Sequence, residues 1–177
     1  MTRLRAGSHE VPKVWLDTAS RIRKVGLAVC AIDPGETTGV CVLRGDEFYT
    51  CEITHGSVER FPDQLKEVLI GQEICEILMD LNVGSLVVED FVLRMPAKSS
   101  GRAGLSAARV TACMLTAMSF VDWKGGIWSQ GSGQAAVLSG DRLRSLGLWV
   151  AGSEHIRDAV RHLEIWRRGG KKPDMSW

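Results

Sequence analysis

Apolar residues run from Val25 to Ile32 and stop at Asp33-Pro34-Gly35, which predicts a strand buried on both faces and closed by a turn. Two β-rich runs follow, Thr38 to Leu43 and Glu47 to Ile53. The Arg44-Gly45-Asp46 between them predicts a hairpin that continues the sheet in antiparallel sense. After Phe61-Pro62 the period changes: Leu65, Val68, Leu69, Ile74, Ile77, Leu78 and Leu81 recur at helical spacing, with Asp63, Glu67, Glu73, Glu76 and Asp80 between them. Ser85 to Val88 reads as a short buried strand ending in Glu89-Asp90, and residues 105–121 as an Ala/Met/Leu-rich helix buried on most sides. Ile127 to Ser129 supplies a fifth strand and Asp141 to Leu146 a short helix. Ser153 caps a final helix through Trp166, with Glu154 in its acid-favoured first turn. The pattern is that of one α/β domain: a central mixed five-stranded sheet, an antiparallel meander followed by parallel strands, flanked by helices. Its bounds are residues 25–168, with a basic N-terminal extension at 1–24 and a C-terminal tail at 169–177.

Composition narrows the class without changing that architecture. With 45% hydrophobic and 24% charged residues in 177, the chain is neither disordered, collagenous nor disulfide-rich. A chain of this length buries enough surface to hold a core without metal or disulfide, so a metal here would serve function. Five cysteines, at 30, 41, 51, 75 and 113, are odd in number, form no C-x-x-C pair and lie mostly in apolar runs. They read as reduced packing thiols, which points to the cytoplasm. Val110 to Val121, an apolar-rich stretch without a charge, is short of the ~20 apolar residues a membrane span needs, and Arg3 and Arg5 are not followed by an apolar signal core. No membrane association is expected.

Charge is unevenly distributed. The net charge of +1 conceals +4 in residues 1–24, −10 in 33–90 and +8 in 94–172. Between Phe91 and Val121 stand Arg94, Lys98, Arg102 and Arg109 with no acid, in a Ser/Gly/Pro-containing stretch whose backbone can approach phosphate.

The acids are the chemical clue. Asp33 ends the first strand and Glu89-Asp90 the fourth, while His155, Asp158 and His162 stand at i, i+3 and i+7 on the last helix and share one face. Two-metal phosphoryl transfer needs three or four such groups converging from different elements, to hold two hard cations ~3.5–4 Å apart. Each piece alone has an ordinary reading: Asp-Pro-Gly as a turn, the histidines as surface or core residues, His162 above all as structural. Their combination favours the metal site. Alternation along the strand leaves Glu89 and Asp90 both open as the second carboxylate.

Ala31-Ile32-Asp33-Pro34-Gly35 with Thr38-Gly39, then Val87-Val88-Glu89, then His155 with Asp158-Ala159, resemble the motifs of RuvC-like Holliday-junction resolvases, of the ribonuclease H-like superfamily. Ser106-Ala107-Ala108-Arg109 is similar to the small-residue basic segment after that family's glutamate. The resemblance spans about residues 25–166. It implies a ribonuclease H-like fold and an endonuclease that binds branched DNA, the four-way junction, as a homodimer and cuts it with two Mg2+ or Mn2+ ions per site. By position, Asp33, Glu89, His155 and Asp158 would be the metal-binding and catalytic residues, with Asp33 bridging the ions and His155 ligating or helping to activate water. Phe91 would stack on an unpaired base, and Arg94, Lys98, Arg102 and Arg109 would hold phosphates. His155 stands where the family more commonly has aspartate, and Phe91 comes two residues after Glu89 instead of three. Compact members of the family are often phage-encoded, which would place the protein in a host-cell cytoplasm.

Three other readings compete. The Asp33 to Gly39 turn also resembles the first phosphate loop of actin-like and sugar-kinase folds, which need a second domain that this length does not provide. Another ribonuclease H-like nuclease, acting on flaps or RNA–DNA hybrids, would use the same carboxylates. A non-catalytic branched-DNA-binding protein on this fold would be expected to have lost them.

Overall fold

The computed structural model describes residues 7–54, 63–90, 101–131 and 133–169, leaving aside the side chains of 63, 64, 90 and 101–104. The chain enters through a short polar strand, β1 (Gly7–Glu10), and a helix, α1 (Leu16–Val25). β2 (Ala28–Asp33) follows, buried at every position, as its unbroken apolar run requires. β3 (Thr37–Arg44) and β4 (Glu47–Thr54) form the expected hairpin. Then come α2 (Asp63–Asp80), β5 (Val83–Asp90), α3 (Gly101–Phe120), β6 (Gly126–Gly131), α4 (Gly140–Ser145) and α5 (Glu154–Arg168). The Ser153 side chain caps α5 by accepting from the Ile156 N–H.

The sheet has six strands in the order β1-β4-β3-β2-β5-β6, not the expected five. β1 to β4 and β4 to β3 to β2 are antiparallel; β2 to β5 to β6 are parallel. The sixth strand comes from the basic segment that the sequence set apart from the domain. Residues 7–10 pair with 47–50 of β4, and Trp15, Ala19 and Ile22 are buried on the core. Over residues 7–24 this segment is thus packed structure, neither tail nor free arm; residues 1–6 and 170–177 lie outside the described residues.

Each sheet face carries its own apolar layer, sorted by the two-residue period of the strands. Val29 and Ala31 of β2, Cys41 and Leu43 of β3 and Val87 of β5 pack with Trp15, Ile22, Leu143, Ile156, Val160 and Leu163 beneath α1, α4 and α5. Cys30, Ile32, Val40, Val42, Leu86 and Val88 face Ile70, Ile74, Leu78, Val110, Met114 and Met118 of α2 and α3. A fully buried side chain of this kind contributes roughly 1.5–3 kcal/mol against exposure, so the two layers anchor the central strands in one register. α3 is not buried on most sides. Val110, Met114 and Met118 face the sheet, whereas Leu105, Leu115 and Phe120 are exposed.

Candidate metal centre at the strand ends

Alternation decides where the acids go. Asp33 continues the parity of Val29 and Ala31, and Glu89 that of Val87, so both carboxylates fall on the α5 side of the sheet. Ile32 lies opposite Val88 in the parallel β2–β5 register, which makes Asp33 and Glu89 the next residues along. Asp33 is paired with Gly39 across β2–β3, and Glu89 with Gln130 across β5–β6. A row therefore crosses four strands: Gly39, Asp33, Glu89, Gln130. Of the two acids that sequence left open, Glu89 is the one brought to Asp33; the Asp90 side chain lies outside the described residues.

The helix crosses that row because one position in it has no side chain. A Cβ on Gly39 would stand 1.9 Å from the carbonyl oxygen of His155 and 2.7 Å from the Ile156 nitrogen. Glycine thus admits the backbone of the first turn of α5 against β3. The turn after Asp33 is held by Thr38, whose Oγ1 accepts from the Gly35 N–H (3.2 Å) and donates to the Gly35 carbonyl (2.9 Å). Seven residues of helix advance about 10 Å, close to two strand spacings. His155 accordingly meets Asp33 on β2, and His162 meets Glu89 and Gln130 on β5 and β6.

The resulting cluster is electrostatically unbalanced. His155 Nδ1 lies 2.8 Å from Asp33 Oδ2, and that hydrogen bond lifts the imidazole above its usual pKa against the opposing effect of burial. Burial, together with the neighbouring Asp33 charge, pushes the Glu89 carboxyl up to about 7. Its protein donor is the Gly133 N–H at 3.2 Å, in a turn whose φ of 85° suits glycine. His162 is fully buried, and burial lowers its pKa, which favours the neutral ring over the charged one. Gln130 holds its Nδ1 at 2.8 Å, while Nε2 has no hydrogen-bond partner among the described residues and lies 4.0 Å from Glu89 Oε2. Asp158 is turned to Arg161 (2.5 Å), a buried guanidinium that also bonds Glu154 and the Leu138 carbonyl.

Asp33, Glu89 and His162 each offer one donor atom, all within 4.8 Å of one another. Two carboxylates and an unpartnered imidazole nitrogen suit a divalent cation, and so does a glutamate whose charge the protein alone leaves poorly compensated. The donor set fits the metal that the sequence implies. Sequence reasoning placed Asp33 and Glu89 here and recognised that His155, Asp158 and His162 share a face. It took His162 as structural, whereas the structure sets its free nitrogen into the acidic cluster; the i+7 spacing was the available signal. Gln130 was not singled out at all. Among the expected DNA contacts, Arg109 faces Glu67 on α2 at 3.6 Å. Phe91, Arg94 and Lys98 lie outside the described residues, as does the side chain of Arg102.

No protein-family model matches this chain, and no curated protein matches it in sequence. Solved structures do. RuvC of Thermus thermophilus in complex with Holliday junction substrate superposes with a TM-score of 0.58 at 18% identity, over 82% of this chain and 97% of that one. A second Thermus thermophilus RuvC structure gives 0.57 at 18% identity, over 81% and 97%. The fold is thus RuvC-like, a mixed α/β sheet of the ribonuclease H-like kind flanked by helices. No described helix is long and apolar enough to cross a membrane.

Proposed function

We propose that this chain is a metal-dependent endonuclease that hydrolyses phosphodiester bonds in branched DNA, with the four-way junction as substrate and a homodimer as the cutting unit. The observation that carries the reading is the convergence of Asp33, Glu89 and His162 at the strand ends of a RuvC-like fold. These residues would hold Mg2+ or Mn2+, with Asp158 beside them in a site for two ions. Such ions, when bound, lower the pKa of water and offset charge on the phosphate. The protein's own share is positional and protic. Asp33 orients the His155 ring through Nδ1, which leaves Nε2 to take a proton from the attacking water, and the lifted pKa of this half-exposed ring suits that exchange. Arg161 fixes the Asp158 carboxylate. The basic stretch from Arg94 to Arg109 would hold phosphates, so affinity should fall steeply with salt.

The test is cleavage of labelled four-way junction, flap, linear duplex and RNA–DNA hybrid, side by side, with Mg2+, with Mn2+ and with chelator. Symmetric nicking of the junction with either metal and none with chelator is the expected outcome. Preferential cutting of flaps or hybrids would move the substrate to another ribonuclease H-like class, and binding without cutting under both metals would remove the nuclease reading.

A further inference from the structure

One hydrogen-bond arrangement under α5 serves no step above. Gln130 on β6 is buried, 7% exposed, and makes two bonds to a single residue. Its Nε2 donates to the His162 carbonyl at 2.9 Å, and its Oε1 lies 2.8 Å from His162 Nδ1. The amide has one workable orientation. Turned over, its oxygen would face the carbonyl oxygen, and two acceptors would meet in a buried site. With the amide nitrogen committed to the carbonyl, Oε1 can only accept, so His162 Nδ1 must carry the ring hydrogen. The lone pair is then on Nε2.

We propose that Gln130 is a positioning residue that locks His162 in the Nδ1–H tautomer, so that its Nε2 is the third metal donor beside Asp33 and Glu89. Three observations carry this beyond the pairing itself. Nε2 is buried and has no hydrogen-bond partner among the described residues, which a structural histidine would ordinarily find. Its separation from Glu89 Oε2, 4.0 Å, is too long for a hydrogen bond to that carboxylate. His162 also offers one ring nitrogen within 4.8 Å of donor atoms on both Asp33 and Glu89, and Nδ1 is already taken by Gln130. Metal-binding histidines typically give their second ring N–H to an acceptor that fixes tautomer and ring angle, and Gln130 Oε1 is such an acceptor. The cross-strand register supplies the geometry: Gln130 is the β6 partner of Glu89, so one helix-facing row carries a ligand and the group that orients its neighbouring ligand.

The inference rests on the metal-dependent reading of the site, and its test reads the ring and the metal rather than cleavage. Long-range 1H–15N correlation on metal-free, 15N-histidine-labelled protein reports which His162 nitrogen is protonated, and calorimetry with Mn2+ alone reports affinity. The wild-type protein should show hydrogen on Nδ1. Gln130→Met, close in size but without an acceptor, should mix the tautomers and weaken Mn2+ binding by about 10–100-fold. Hydrogen on Nε2 in the wild-type protein overturns the proposal, and that readout stands even if Gln130→Met does not fold. Unchanged Mn2+ affinity in a folded Gln130→Met overturns it too, as does a wild-type protein that binds no Mn2+. If the wild-type protein binds Mn2+ through His162 as stated and cuts no DNA, the nuclease reading falls and this one remains.

Discussion

Glu89 and Glu164 are two glutamates drawn toward the same side of the sheet, and the protein answers them in opposite ways. Glu164, on the last turns of α5, is fully buried yet accepts from Trp15 Nε1 (2.8 Å), Arg167 Nε (2.7 Å) and Nη2 (2.9 Å), and Arg168 Nε (2.5 Å). Burial alone would raise its carboxyl, but the bonds from Arg167, Trp15 and Arg168 outweigh it and hold the carboxyl below its usual range. Glu89 receives one backbone N–H and faces Asp33, so burial and like charge drive it up to about 7. A carboxylate recruited for folding is supplied with donors. One kept for a ligand is left short of them, and the shortfall is what a cation would fill.

The comparison predicts its largest effect on activity. Asp33→Asn and Glu89→Gln should each cut metal-dependent junction cleavage on the order of 10²–10³-fold, the scale of losing one charge-stabilising group, while leaving the fold intact. Single-turnover rates with circular dichroism controls measure both. Glu164→Gln should cleave near the wild-type rate; equal loss in all three variants would erase the functional distinction between the two glutamates.

Stability should move with opposite sign. Glu164→Ala strips four hydrogen bonds and leaves Trp15 Nε1 buried without its acceptor, a cost of about 3 kcal/mol in urea unfolding. Glu89→Gln, in metal-free protein at pH 8, relieves a charge held against Asp33 and should stabilise by about 1 kcal/mol. If Glu89→Gln destabilised the metal-free protein, Glu89 would be a folding residue like Glu164.

How much of this was readable beforehand follows from which interactions are local. β2, β3, β4 and β5 were legible because apolar runs bounded by turn residues need no partner to be recognised, and strand-end acids are visible wherever the strands are. β1 was not, since Gly-Ser-His-Glu carries no apolar signal and becomes a strand only through the β4 edge it pairs with. Trp15, Ala19 and Ile22 did stand at helical spacing, but the surrounding basic charge set the segment apart as an extension. The pairing of Arg109 with Glu67 was not visible either, because nothing in the sequence sets these two residues, forty-two positions apart, face to face. His162 was visible as a face-mate of His155. What separates it from an ordinary core histidine is the register that sets Gln130 on one of its nitrogens and Glu89 near the other, and register is tertiary information.

The contrast can finally be sharpened by pH, with the smallest effect and the clearest sign. Glu89 has a folded-state pKa raised from 4.5 to about 7, so between those values the folded state binds more protons than the unfolded one. Its contribution to stability therefore declines as pH rises from 4.5 toward 7. Glu164 is displaced the other way, below 4.5, so its contribution is complete above that value and is lost as pH falls through its folded pKa. Metal-free wild-type protein and the two Gln variants, unfolded in urea from pH 3.5 to 8, give two difference curves. The Glu89→Gln curve should grow in the stabilising direction from near zero at pH 4.5 to a plateau above 7. The Glu164→Gln curve should be destabilising and flat at neutral pH and shrink toward zero only on the acid side. Saturating Mn2+ should then reverse the sign of the first curve and leave the second where it was, because of the two glutamates only Glu164 has cationic partners among the described residues.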